Sequence, residues 1–366
     1  MKIGTTKERL LRAVQLTERI VGKKESLPVL SCLLLETIEH GLMVRATNLE
    51  AGIEVMCPAE VLGSGTVAVP VSTFSQTIRT LQGDKVTLSI IESNLIIESK
   101  GSKTLIKTVP HDEFPILPIQ SDTEKISTPR KKLLEGLQSV MYAASPSMIR
   151  PELGSVFVSI HNEKIICAAT DSFRLAEKKI SNQNGLYKED VLIPLKHAIE
   201  LTHILELLTN DNIDVYIDEA QMIVVGEGTK FISRIIDGSF PNYTEIIPKT
   251  FSTEATLLKN DFSEVLRKAR VFSGIEQNIA FHIYPNKKIF SATARSSDVG
   301  EMSDTVEAAL SGEDVDISFH INYLNDCLQA IKTDSIVLGF LGAYKPLVIK
   351  GVGDEGFTYL AMPLNK

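Results

Sequence analysis

The chain repeats one signal at equal intervals. Ala46-Thr47-Asn48, Ala169-Thr170-Asp171 and Ala292-Thr293-Ala294 each follow a hydrophobic run, and their threonines are spaced 123 residues apart. This spacing is close to one third of the 366 residues. A fixed period of this length indicates three copies of one domain-sized unit, not a solenoid of short repeats. We therefore expect a protein built by triplication.

Further pairs support the period and divide the chain. Leu10-Leu11 corresponds to Leu133-Leu134, and Phe114-Pro115 corresponds to Phe240-Pro241. They predict domains over residues 1–120, 121–248 and 249–366, with polar or proline-bearing linkers at 119–128 and 246–255. Each unit is long enough to bury a core of its own.

Each third has the same expected order of elements. An amphipathic helix opens it, with apolar residues at helical spacing such as Leu133, Leu137 and Val140. Two β-rich runs joined by a short polar turn follow and predict a hairpin. We expect second helices over 72–81, 195–208 and 322–332, each followed by further alternating strands. The predicted fold class is α+β with antiparallel sheets, in three tandem copies.

The formal net charge is −8, with 38 Lys and Arg against 46 Asp and Glu. An acidic total argues weakly against a protein that coats nucleic acid, although it permits one basic surface. The outward faces of the three opening helices are basic: Arg9, Arg12 and Arg19; Lys131 and Lys132; Arg267, Lys268 and Arg270. At this stage a solvated face and a nucleic-acid surface both remain open.

The sequence lacks the usual signals for secretion, membrane insertion, metal binding and catalysis. There is no apolar leader and no run long enough for a membrane span, and the four cysteines form no CxxC pair, so we expect a cytoplasmic protein with reduced, buried thiols. Gly351–Gly356 satisfies GxGxxG, but strand-like residues follow it, which favours a hairpin turn over a dinucleotide site. No metal-ligand spacing, cofactor motif or catalytic constellation is present, and we expect no metal, no cofactor and no enzyme activity.

Several motifs converge on one family. LPVLSCLLLE (27–36), HDEFPILP (111–118), IRPELGSVFV (149–158), ATDSFRLA (169–176), FPNYTEIIP (240–248) and YLAMPLNK (359–366) resemble the bacterial DNA polymerase III β subunit, the sliding-clamp family. The resemblance covers the whole chain in order. It implies three similar domains per chain and a homodimeric ring whose twelve helices line a hole around double-stranded DNA. It also implies no catalysis, loading by a clamp loader, and tethering of replicative and repair polymerases.

The resemblance also implies a pocket for Leu- or Phe-bearing peptides between the second and third domains. Apolar side chains from separated segments suit an extended peptide, and a methionine adapts to several partners. A domain-junction core is the alternative for the same set. The residues carried over are Leu153, Thr170, Ser172, Phe173, Arg174, Leu175, Pro241, Ile246, Tyr323, Pro346, Leu360, Met362, Pro363 and Leu364. Ser172, Phe173 and Asn365 depart from the usual family residues, which puts partner preference in doubt.

Other site residues follow from the same resemblance. Lys24 matches a DNA-contacting position of the family, and Arg79, Arg150 and Lys196 are weaker candidates. Val271 and Phe272 match the apolar patch of the dimer joint, and we expect Ile106 to face them across it. Two alternatives stay open: a triplicated non-catalytic scaffold that recruits DNA repair factors, and a hydrolase or nucleotide-binding enzyme.

Overall fold

The computed structural model describes residues 1–22, 27–118, 123–161, 163–182 and 188–364. The chain divides into two compact units. The first comprises Met1–Lys131 with Ile199–Ile235, and the second comprises Lys132–Ala198 with Ile236–Lys366.

Each third consists of a strand, a helix, a group of strands, a second helix and three further strands. The α-helices are α1 (Lys7–Thr17), α2 (Val71–Thr80), α3 (Arg130–Val140), α4 (Leu195–Leu207), α5 (Lys259–Phe272) and α6 (Ile321–Cys327). The first third holds β1 (Lys2–Thr6), β2 (Cys32–Ile38), β3 (Gly41–Thr47), β4 (Ala51–Pro58), β5 (Glu60–Gly63), β6 (Thr66–Pro70), β7 (Lys85–Ile91), β8 (Asn94–Ser99) and β9 (Ser102–Lys107). The second holds β10 (Ile126–Pro129), β11 (Ser155–His161), β12 (Lys164–Thr170), β13 (Arg174–Ser181), β14 (Lys188–Pro194), β15 (Asn212–Ile217), β16 (Gln221–Gly226) and β17 (Thr229–Arg234). The last holds β18 (Thr253–Leu258), β19 (Asn278–Tyr284), β20 (Ile289–Ser296), β21 (Gly300–Thr305), β22 (Ala308–Gly312), β23 (Val315–His320), β24 (Ser335–Phe340), β25 (Leu347–Gly351) and β26 (Phe357–Ala361).

The opening element of each third is a strand, so the prediction that a helix comes first was wrong. β1, β10 and β18 each run directly into the first helix of their third. β10 and β18 begin inside the predicted linkers, at Ile126 and Thr253. Residues 119–122 of the first linker lie outside the described residues. These strands have only four to six residues, and such short runs of alternating burial resemble a polar lead into a helix.

Every strand pair within the described ranges is antiparallel, as the sequence predicted. The first unit contains the sheets β5-β1-β7-β8-β9 and β10-β15-β16-β17-β4-β3-β2-β6. The second contains β14-β11-β12-β13-β26-β25-β24-β18-β22 and β21-β20-β19-β23. The two long sheets each join strands from neighbouring thirds, through β4 on β17 and β13 on β26.

Helices α1 and α5 pack on these sheets through one apolar face. In α1, Leu10 and Val14 are fully buried, and the hydroxyl oxygen of Thr6 accepts the Arg9 N–H at 3.3 Å as an N-cap. In α5, Phe262 and Leu266 are the buried counterparts. Each such side chain contributes about 1.5–3 kcal/mol by leaving water.

The first helix of each third (α1, α3 and α5) begins with a basic residue. The backbone N–H groups of Lys7, Arg130 and Lys259 donate to the carbonyls of Asp84, Asp211 and Asp334, at 2.8, 2.9 and 2.8 Å. Their side chains donate to carbonyl oxygens at or just after the end of the second helix of the same third: Leu81 and Arg79, Leu205 and Asn210, and Ile331. A cation suits the negative end of a helix dipole. These three charges therefore serve the fold in each copy.

The four cysteines are free and buried, as the sequence predicted. Burial raises the pKa of the Cys167 thiol to about 12, so it carries no thiolate near neutral pH. The Gly351–Gly356 segment is the turn between β25 and β26, and so the hairpin interpretation of GxGxxG is confirmed.

Candidate functional site

A tight turn joins β12 to β13 at the ATDSFRLA motif. The Thr170 hydroxyl donates to the Arg174 carbonyl at 2.6 Å and accepts the Ser172 N–H at 3.2 Å. The Asp171 carboxylate accepts the N–H groups of Phe173 and Arg174 at 2.9 and 3.0 Å. Ser172 adopts the left-handed conformation, with φ of 79°. The turn is therefore held by its own side chains, and it leaves Phe173 61% exposed.

The same turn occurs in the first unit, between β3 and β4. Thr47 donates to the Ala51 carbonyl at 2.9 Å and accepts the Leu49 N–H at 3.1 Å, and Asn48 accepts the N–H groups of Glu50 and Ala51. Leu49 has φ of 74°. The backbone carbonyls of the two turns also make equivalent contacts. The Glu50 carbonyl accepts the Arg234 N–H, and the Phe173 carbonyl accepts the Met362 N–H. Two copies of one local design are thus present.

A cavity of about 510 Å³ borders the second of these turns, and its lining includes no residue of the first. The cavity lies among the β12–β13 turn, the single helical turn at Thr244–Ile246, the β24–β25 loop and the end of β26. Its lining is mostly apolar. It consists of Thr170, Ser172, Phe173, Arg174, Leu175, Ile246, Pro248, Leu341, Tyr344, Lys345, Pro346, Leu360 and Met362.

Nine of the fourteen residues carried over from the family line this cavity: Thr170, Ser172, Phe173, Arg174, Leu175, Ile246, Pro346, Leu360 and Met362. Five lie outside the lining: Leu153, Pro241, Tyr323, Pro363 and Leu364. Leu153 is 6% exposed, and the Leu364 N–H donates to the Ser318 carbonyl at 2.8 Å. Tyr323 lies behind the cavity wall, with its ring against Arg174.

Sequence reasoning missed Pro248, Leu341, Tyr344 and Lys345. Three of these belong to the loop between β24 and β25, which has six residues (341–346). The corresponding hairpins have two residues at 92–93 and three at 218–220. The extra length was a visible signal, because only the third copy separates its two apolar runs so widely.

Arg174 is held from behind by two carboxylates. Its guanidinium donates to Asp171 at 2.9 Å and to Asp326 at 2.6 Å, and it lies 4.6 Å from the Tyr323 ring centroid. Burial opposes its charge, but the hydrogen bond with Asp326 and the charge of Asp171 raise the pKa of Arg174 above its usual range. Its charge is thus already balanced within the protein.

A buried cluster supports the inner wall. Leu175 and Leu360 pack with Tyr243, whose hydroxyl donates to the Glu177 carboxylate at 2.8 Å. Burial and the neighbouring Glu177 charge raise the pKa of Tyr243 well above its usual value. Phe240, beside Pro241, packs edge-on against Tyr243. This cluster holds the 240–248 segment, which carries Ile246 into the cavity.

Several of the candidate DNA-contacting residues are paired with carboxylates. Arg79 donates to Glu18 at 2.5 Å, and Arg150 donates to Glu152 at 3.0 Å. Lys196 is exposed, and Lys24 lies outside the described residues. Among the basic helix positions, Arg12, Arg19, Arg267 and Lys268 form ion pairs. Within the described ranges five form none: Arg9, Lys131, Lys132, Lys196 and Arg270. The Lys132 ammonium donates to the Ser181 carbonyl at 2.6 Å, so the other four charges remain available.

The proposed dimer residues differ in exposure. Val271 is 62% exposed, Phe272 is half-buried, and Ile275 beside them is 97% exposed. Ile106, however, is only 3% exposed, because alternate residues of β9 face opposite sides and Ile106 faces its own core. Its neighbour Leu105 is 55% exposed. The expectation that Ile106 faces another chain is therefore corrected, because its side chain is buried within its own chain.

One chain of hydrogen bonds resembles a catalytic relay. His282 contacts Asp316 at 2.6 Å and Thr293 at 3.1 Å, on neighbouring strands β19, β23 and β20. Tyr284 also donates to Asp316, at 2.8 Å. Neither Thr293 nor His282 lines the cavity described above. Cross-strand hydrogen bonds of this kind stabilise strand pairing.

These features define a clamp made of three tandem α+β domains with antiparallel sheets. Family models for the N-terminal, central and C-terminal domains of the DNA polymerase III beta subunit match residues 1–118, 127–242 and 244–365. The chain belongs to this family, whose members are non-catalytic processivity factors. The enzyme alternative is thereby excluded.

Named relatives agree with this assignment. The beta sliding clamp of Staphylococcus aureus (strain Mu50 / ATCC 700699) is 27% identical over 359 residues, which cover 95% of each chain. The DNA polymerase III beta subunit from Thermotoga maritima has a TM-score of 0.94 and 27% identity, covering 100% of this chain and 99% of that one. The Bacillus subtilis DNA polymerase sliding clamp has a TM-score of 0.93 and 24% identity, with 100% and 99% coverage, and supports the fold. Among the described helices, none has the length and apolar character needed to cross a membrane.

Proposed function

We propose that two copies of this protein close into a ring around duplex DNA and hold DNA polymerases on it. The observation that carries the proposal is the match of all three domains, in order, to the DNA polymerase III beta subunit. The ring would act in the cytoplasm, where a clamp loader would place it on DNA. The alternative of a repair scaffold that does not serve as a clamp is not favoured.

Ring closure is supported by two strand edges. β9 is the repeat equivalent of β17 and β26, and β21 is the equivalent of β4 and β13, yet β9 and β21 each lie at the end of a sheet. Inside the chain the equivalent edges pair with each other. We infer that β9 of one chain pairs with β21 of another, which occurs twice in a symmetric dimer.

The internal junction also supplies a register for this joint. We apply the register of β17 on β4 to the free edges, with β9 in the place of β17 and β21 in the place of β4. Leu105 then lies opposite Ser303, and Lys107 lies opposite Glu301. Opposite charges facing each other across an antiparallel pair are favourable. Val271, Phe272 and Ile275 then supply apolar area beside the strands.

DNA binding should be electrostatic and independent of sequence. Lysine and arginine contacts to phosphates release counterions, so the affinity falls as salt rises. Arg9, Lys131, Lys196 and Arg270 are the proposed contacts, together with Lys24. Arg79 and Arg150 are not among the proposed DNA contacts, since each already has a carboxylate partner. Because several of the candidate DNA-contacting cations are already paired and the net charge is −8, retention should come from topology more than from affinity.

The cavity beside the β12–β13 turn is the proposed docking site for partner peptides. Its apolar lining suits Leu or Phe anchors on an extended segment. Met362, 42% exposed, supplies an adaptable edge. Polymerases and repair factors that carry such segments are the partners this site would take.

The test of the ring is retention on DNA of different topology. The protein is loaded with a clamp loader on nicked circular DNA and on the same DNA linearised, and each sample is passed through a sizing column in high salt. We expect it to stay on the circle and to leave the linear form through its ends. Blocking the ends with bound protein should restore retention. Equal retention on circular and open linear DNA would contradict the ring.

A further inference from the structure

The loop at 341–346 gives the cavity a cation that is not paired with a carboxylate. Among the lining residues that the structure describes, Arg174 and Lys345 are the charged ones and none is a carboxylate. Arg174 is committed to Asp171 and Asp326. Lys345 is exposed and forms no ion pair within the described part of the chain. The uncommitted charge at this site is therefore a single cation on the rim.

We propose that Lys345 selects partner peptides that carry an acidic residue next to their apolar anchor. This rests on the proposed function of the cavity as a peptide-docking site. An anchor side chain buried against Leu175, Leu360 and Met362 brings the flanking peptide residues past the 341–346 loop. A carboxylate there gains a charged hydrogen bond with an ammonium group that has no competing partner. Tyr344, which is 80% exposed, adds an aromatic surface beside it.

Arg174 would not perform this selection, although it is the more obvious cation. Its guanidinium is 12% exposed and donates to two carboxylates, so a third would meet a site that is already neutralised. Its role is to position the wall by fixing the turn and the Tyr323 ring. The two cations of the cavity thus have different tasks, one structural and one for recognition.

The experiment uses fluorescein-labelled nine-residue peptides with a central Leu-Phe anchor. A single aspartate occupies each flanking position in turn, and each peptide has a matched asparagine version. Fluorescence anisotropy at low salt should show that the full-length protein prefers aspartate by about two- to fivefold at one or two positions, as expected for an ion pair at a rim. Lys345→Gln should remove this preference, Lys345→Glu should invert it, and added salt should shrink it.

Lys249→Gln is the matched control. Lys249 is exposed and follows Pro248 of the lining, but it does not itself line the cavity. It tests for a general loss of positive charge, and it should leave the preference unchanged. Equal loss in both variants, or no aspartate preference in the parent, overturns the inference about Lys345.

The two levels of the proposal fail differently. If the asparagine peptide binds and Met362→Asp abolishes that binding, the docking site stands whatever Lys345 does. Val352→Asp is the control for Met362, because Val352 has a similar exposure of 45% and lies outside the lining. If no anchor peptide binds the parent, or if Met362→Asp has no effect, the docking site itself is refuted and the Lys345 inference with it.

Discussion

Glu227 is a carboxylate whose pKa is lowered in the folded protein. Arg12 contacts it at 2.8 Å, and the backbone N–H and hydroxyl of Thr209 donate to it at 2.8 and 2.9 Å. The hydrogen bond from Arg12, then those from Thr209, lower the pKa of Glu227 to about 2. Since the unfolded value is about 4.3, the charged form adds stability that is present above that pH. This stability disappears as the pH falls towards 2.

We expect Glu227→Gln to flatten the acid side of the stability profile. The parent should lose about 1 kcal/mol between pH 4.5 and 2.5 that the variant does not lose, a figure reduced for solvent screening at a partly exposed pair. The measurement is the thermal midpoint of both proteins over this range. Glu276→Gln, at an exposed carboxylate, controls for net charge and should follow the parent. Parallel curves for the parent and Glu227→Gln would contradict the assignment.

At the residue scale, the family resemblance of ATDSFRLA pointed to Thr170 and Arg174, and both lie at a turn that borders the cavity. Where the sequence offered only the alternation of a strand, the prediction was wrong. In KTLIKTV, Leu105 and Ile106 are adjacent apolar residues, and alternation alone does not say which faces inward. Lys345 was missed because exposed loop lysines are common, and only the cavity distinguishes this one.

At the scale of elements, the two matching turns form an internal control. Thr170→Val and Thr47→Val each remove a hydroxyl that donates one hydrogen bond and accepts another. Each variant should therefore lose about 1–3 kcal/mol of stability. Only Thr170→Val should weaken binding of a Leu-Phe peptide, because only that turn borders the cavity. Denaturation of both variants measures the loss of stability, and fluorescence anisotropy measures the affinity for the peptide. Equal affinity loss in both would show a global effect and contradict a local one.

The repeat period predicted the order of helices and hairpins, but not the opening strands. β1, β10 and β18 are too short to stand out, and each is stabilised by pairing with a strand distant in sequence. Their existence is decided by tertiary pairing, which local pattern does not contain. The role of Lys7, Arg130 and Lys259, which start the first helices and whose side chains bind carbonyls near the ends of the second helices, was missed for the same reason.

At the scale of the whole molecule, the joint between chains carries the sharpest prediction. Val271→Ala with Phe272→Ala should shift the protein from dimer to monomer at micromolar concentration while each chain stays folded. Covering Val271 and the exposed part of Phe272 is worth about 2–3 kcal/mol per joint, and a closed ring has two joints. Sedimentation of parent and variant at several concentrations measures this.

A control double variant separates the joint from general surface loss. Leu62 and Ile91 are 57% and 49% exposed, and they lie outside β9, β21 and the Val271 patch. Leu62→Ala with Ile91→Ala should remain as dimeric as the parent. A monomeric parent, or a Val271/Phe272 variant that stays dimeric, rules out this joint.

The six-residue loop between β24 and β25 has a wider consequence. Both internal junctions have the same turn, the same strand pairing and the same carbonyl contact, and the cavity of about 510 Å³ borders the turn at Thr170 and not the one at Thr47. The longer hairpin supplies four of the residues that line this cavity, so a change of loop length distinguishes two duplicated positions that share one fold. The turn at Thr47 has the same local structure as the turn at Thr170. It therefore offers protein engineers a position on the clamp at which a second, independent binding site could be built.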